Sequence, residues 1–153
     1  FYTRYSAEGA TGTSFDCHLA LVNPSATTAA SVQLRFLLTN GSVVTRAESV
    51  PARARRTVVI KDVAGLGTAE FSTVVESDVA VVADRTMTWD AGGYGSHSET
   101  SVAAPQTVWY LAEGATHSGF DLWYLIQNPS LTTDAEVEVT YLRPAPAEPE
   151  GEA

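Results

Sequence analysis

The chain has 153 residues, a formal net charge of −9 from 18 acidic and 9 basic residues, and 44% hydrophobic residues. That length holds one ordinary core and a fraction of another, and the apolar share excludes a chain disordered throughout. With Lys61 the single lysine and no basic stripe anywhere, a nucleic-acid partner is excluded too.

No apolar run approaches the ~20 residues of a membrane-spanning helix. Cys17, the only cysteine, has no partner for an internal disulfide and no companion at zinc-ligand spacing. The sequence opens at Phe1 rather than Met, so the expectation is a mature or excised segment, with any secretion signal upstream.

In chain order, the first clear strand pattern is Ser31 to Phe36, where Val32, Leu34 and Phe36 alternate with Ser31, Gln33 and Arg35. Period two with one wet face describes a half-buried strand. Asn40-Gly41 follows, ahead of Val43-Val44-Thr45, the commonest short signal for a tight hairpin turn. Further β-rich runs lie at Thr57 to Ile60, Phe71 to Glu76 and Val79 to Trp89, separated by Pro51, by Gly65 and Gly67, and by Ser77-Asp78. No stretch sustains a helical period with caps. The fold class expected is all-β, an immunoglobulin-like antiparallel β-sandwich of six or seven strands.

The chain then repeats itself. Glu8 and Glu113 share one motif, Glu-Gly-Ala-Thr; Phe15-Asp16 returns as Phe120-Asp121, and Asn23-Pro24-Ser25 as Asn128-Pro129-Ser130, always at an interval of 105 residues. The match runs without a gap to Leu37 and Leu142, with Val137, Val139 and Tyr141 standing for Val32, Leu34 and Phe36. A period of that size is one small sandwich per unit. The organisation expected is a unit at 1–108, the first two strands of a second copy at 109–142, and a Pro/Glu-rich tail or linker at 143–153. Two strands bury too little apolar surface to offset the entropy of ordering them. The second copy is therefore expected to pack on another sheet, in the same array or in a neighbouring subunit, through Trp109, Tyr110, Leu111, Phe120, Leu122, Trp123, Tyr124, Ile126, Val137, Val139 and Tyr141.

Candidate chemistry is sparse. Ser96-His97 with Asp84 or Asp90 invites a hydrolase reading, but the Gly-x-Ser-x-Gly elbow is absent and no oxyanion hole is indicated. His18, His97 and His117 with Asp16 and Asp121 lack metal-site spacing, and the repeat replaces His18 by Trp123 and pairs His117 with Gly12. No catalytic or metal residue is expected. Glu8 and Glu113 read as turn-capping groups, with calcium the one cofactor they leave open. Cys17 aligns with Leu122, as a small core residue does. Arg85 beside Asp84 reads as a structural ion pair.

Arg85-Thr86-Met87-Thr88-Trp89, the glycine-rich Gly92 to Ser98, and Trp109-Tyr110-Leu111-Ala112-Glu113-Gly114-Ala115-Thr116 with Phe120 and Asn128-Pro129 resemble a bacterial repeat family of unknown function. Its units open with WYLAEG-type sequence and close with an R-x-M-x-W run and a GxHxS segment. The first copy departs from this at its opening, where Tyr2-Thr3-Arg4-Tyr5-Ser6 stands. The resemblance implies domains strung in series on large secreted or cell-surface proteins, with no activity assigned to the repeat itself. The function expected is accordingly a structural module of an extracellular repeat protein or filament, whose partners are other copies of itself or adjacent repeats. The alternative is an adhesion module that binds glycans through the aromatics around Trp109 and Trp123.

Overall fold

The computed structural model describes residues 1–90 and 95–143, and the first unit in it is a β-sandwich of two antiparallel sheets. Its strands are β1 (Tyr2–Ser6), β2 (Ala10–Thr11), β3 (Phe15–Asn23), β4 (Ala30–Leu38), β5 (Val43–Val50), β6 (Ala54–Val59), β7 (Ala69–Ser77), β8 (Val82–Trp89) and β9 (Gly95–Thr100), with one 3-10 turn at Ile60–Asp62. One sheet runs β1-β7-β4-β5, with β2 also on β7; the other runs β6-β3-β8-β9. Around β3, β4, β6 and β7 the pairings match those of immunoglobulin strands B, C, E and F. The flanks differ, because β8 takes the place beside β3 that the first strand holds in those domains, and β1 the place beside β7 that the last strand holds.

Alternation builds the core. Cys17, Leu19 and Leu21 from β3 face Val32, Leu34 and Phe36 from β4, and Phe71, Val75, Ala83 and Met87 complete the same buried cluster with Val50, Val58, Ile60 and Leu66. Phe36 meets Phe71 edge to face at 5.5 Å between ring centroids, the geometry that the aromatic quadrupole favours. Gly9 is required here, since a Cβ at that position would run into the Phe71 ring. The β4–β5 turn forms as expected: Gly41 takes φ +82°, and Asn40 Oδ1 accepts from Ser42 N at 2.9 Å.

One open side of the sandwich is closed by charge and the other by backbone hydrogen bonds. Between β5 and β6, Glu48 accepts from Arg46 Nε at 2.6 Å and Arg56 Nε at 3.0 Å. Between β1 and β9, the backbones of Tyr5 and Val102 exchange two hydrogen bonds of 2.9 Å.

Nine strands form where six or seven were expected. The additions include β1 and β2, and β9, whose Gly95–Thr100 sequence carries no apolar alternation. β9 exists because it pairs β8 in register, Met87 opposite His97 and Trp89 opposite Gly95.

The second copy departs from expectation more sharply. Residues 103–143 form no strand. The two expected strands correspond to β3 and β4, which do not pair with each other at all; they lie in opposite sheets. Of the expected tail, only Arg143 lies within the described residues.

Candidate functional site

The assembly residues read from the sequence all stand on this strandless segment, and most face solvent. Tyr110 is 93% exposed and Trp123 79%, with Trp109, Leu111, Phe120, Ile126, Val137, Val139 and Tyr141 also exposed, while Leu122 and Tyr124 are half-buried. Six of these correspond to Cys17, Leu19, Leu21, Val32, Leu34 and Phe36, every one of which is buried in the first unit. Apolar side chains of the same pattern therefore meet opposite fates.

Local structure does repeat where it is self-contained. Asn23 Nδ2 donates to Thr28 O at 2.8 Å, its Oδ1 accepts from Ser25 N at 3.0 Å, and Ser25 Oγ accepts from Thr28 N at 3.0 Å. Asn128, Ser130 and Thr133 form the same three bonds at 2.8, 3.1 and 3.0 Å. This Asx-type loop needs no neighbour. Beyond it, Tyr124 and Tyr141 approach to 6.0 Å between ring centroids, and Gln127 Nε2 donates to Thr73 O at 3.4 Å. Asn128, Ser130 and Leu131 lie against Leu37, Leu38, Gly41 and Val43, lining a shallow cleft on the first unit.

A second cluster was not foreseen. Arg85, 2% exposed, sends Nη2 to Glu8 Oε2 at 2.9 Å, to Glu99 Oε2 at 3.1 Å and to His97 Nδ1 at 3.0 Å. It joins the β1–β2 corner to β8 and β9. The expected pairing with Asp84 is not made, because neighbours along a strand point to opposite faces. The same rule separates Ser96 and Asp84 from His97, so the hydrolase constellation is not assembled. Three stretches of the sequence, Glu-Gly-Ala-Thr, R-x-M-x-W and Gly95-Ser96-His97-Ser98-Glu99, converge on this one guanidinium. The legible signal was Glu8 itself, a carboxylate recurring at Glu113 in an otherwise uncharged turn.

No protein-family model matches the chain, and no curated protein does. Among solved structures, the crystal structure of Thermotoga maritima 1070 is similar with a TM-score of 0.62 at 13% identity, over 67% of this chain and 94% of that chain. This likeness shows the fold alone. The Anabaena sensory rhodopsin transducer overlaps 54% of this chain and 90% of that chain at 21% identity, with a TM-score of 0.45, and carries no argument.

The remaining candidates have local roles. Asp16 pairs with Lys61. Cys17 is 2% exposed, and burial pushes its thiol up to about 11, against a smaller opposing pull from Arg85; a thiol so held is a poor nucleophile at neutral pH. Among the described residues no helix is long and apolar enough to cross a membrane.

Proposed function

We propose that the chain is a structural module of an extracellular or cell-surface repeat protein or filament, joined head to tail to other copies through residues 109–142. The observation that carries this reading is the set Leu122, Tyr124, Ile126, Val137, Val139 and Tyr141, a second copy of core residues without a ladder or a facing sheet. Exposed apolar area on that scale marks a contact surface. The acceptor side is supported by β5, an edge strand of eight residues whose outward Val43, Thr45, Ala47 and Ser49 are exposed and uncharged. Its charged residues, Arg46 and Glu48, turn to the other face and pair there, so the unpaired backbone groups of this edge are offered to an incoming strand.

Sedimentation velocity over a concentration series tests this. Mass rising with concentration, and falling back to the monomer in Ile126→Asp with Val139→Asp, is the expected result; a parent chain that stays monomeric throughout contradicts joining between copies. The exposure of Tyr110 and Trp123 favours one second reading, a glycan-binding adhesion module. Retention on immobilised polysaccharide that disappears in Trp109→Ala with Trp123→Ala, in a chain still folded, supports it against the first.

A further inference from the structure

In the first unit every strand within residues 2–38 depends on the half of the chain that follows it. β1 and β2 pair only with β7, β3 only with β6 and β8, and β4 only with β5 and β7. Every ladder made by residues 2–38 thus runs into residues 43–100, and none runs among themselves. Side chains follow the same division. Glu8 meets Arg85, Gly9 lies under the Phe71 ring, Thr11 Oγ1 donates to Leu66 O at 2.6 Å, Asp16 pairs with Lys61, and Asn23 Nδ2 donates to Val50 O at 2.9 Å. All five recur, as Glu113, Gly114, Thr116, Asp121 and Asn128. Residues 109–142 therefore keep the whole set that grips β5–β9, and make none of those contacts among the described residues.

We propose that residues 109–142 are a second ligand for the β5–β9 half, able to replace residues 4–37 there within the same chain and close a circularly permuted sandwich. The connections allow it. Val102 already lies beside Tyr5, whose counterpart is Tyr110, and eight residues reach up to about 28 Å, ample for the chain to fold back. At the other end, exchange opens only the exposed Asn40-Gly41 turn, the kind of site where permutation is tolerated.

The resident copy holds the site, though not every position favours it. In β1 the second copy puts Trp109 and Leu111 where Arg4 and Ser6 stand, and Ser6 Oγ is buried without a partner. On the outer face the resident copy is favoured: Arg35 holds Glu76 at 3.0 Å, whereas Thr140 cannot, and Glu138 takes the place of Gln33 opposite Glu76. Supply from the same chain wins at low concentration because a tethered segment has an effective concentration near millimolar.

The exchange does not rest on assembly between copies and is read where the chain is monomeric. Leu34→Asp places a charge at a fully buried position; Val139→Asp places it at the counterpart. In the full chain, Leu34→Asp is expected to keep a cooperative thermal transition, with amide protection lost from residues 15–37 and gained at 120–142. Val139→Asp unfolds like the parent, and the double variant loses the transition. A Leu34→Asp chain as unfolded as the double variant overturns the proposal, as does one folded only as an oligomer. Independently, Glu76→Cys with Glu138→Cys in a Cys17→Ala background is expected to close an intrachain disulfide on slow oxidation, since those positions become partners only after exchange. No crosslink at monomer mobility, or crosslinks only between chains, overturns it.

Discussion

Residues 4–37 and 109–142 carry one pattern and reach two outcomes. The first segment is strand in both sheets; the second, with the same Glu-Gly-Ala-Thr corner, Phe-Asp pair and Asn-Pro-Ser loop, is strandless. Alternation fixes which side chains can share a face, but a strand is made by its neighbour's hydrogen bonds. Here the neighbours β5–β9 are present once and occupied once. What survives in the second segment is what a segment can do alone, the Asn128–Thr133 loop.

The comparison is sharpest where one residue serves the acceptor half and its loss affects any occupant. Phe71→Ala removes the ring that meets Phe36 and covers Gly9 and is expected to cost about 3–5 kcal/mol, measured by urea unfolding. Tyr141→Ala, on the unpartnered segment, is expected to change the same midpoint by less than about 0.5 kcal/mol. An equal cost at both sites breaks the contrast.

Next come the paired carboxylates. Glu8→Ala strips a charge partner from the buried Arg85, a loss of about 3 kcal/mol; Glu113→Ala, in the same motif, is expected to lie within about 0.5 kcal/mol of the parent. Thermal unfolding of the two variants side by side reads the difference.

Cys17 gives a pH-dependent form of the contrast. Its thiol titrates near 9.0 when solvated and about 11 when folded, so above pH 9 the unfolded chain loses the proton first. Stability is unaffected below that and falls as pH rises from 9 toward 11, by on the order of 2–3 kcal/mol. Urea titrations at pH 8 and pH 11 are expected to show this excess loss in the parent and not in Cys17→Ala. The smallest effect is at the asparagines: Asn23→Ala loses the bond to Val50 as well as its loop and is expected to cost about 2 kcal/mol, while Asn128→Ala costs a few tenths.

The sandwich and its central strands were legible because β4, β7 and β8 carry apolar alternation and Asn40-Gly41 carries its turn. β9 was not, since its sequence is polar and its order comes from β8. Whether β3 and β4 pair or oppose each other is equally hidden, because both arrangements present the same alternating residues. The Arg85 cluster escaped for the reason that sequence adjacency points to Asp84, whereas strand geometry turns Asp84 to the other face and brings Glu8 from 77 residues away.

Hydrogen exchange on the full chain at monomeric concentration, comparing amides 32–36 with amides 137–141, tests most directly that β5–β9 confer order on whichever segment they hold. Protection at 32–36 well above that at 137–141, which exchange at nearly the rate of an open chain, is the predicted result. High protection at both stretches at once would contradict it, because the second segment would then be ordered without those strands.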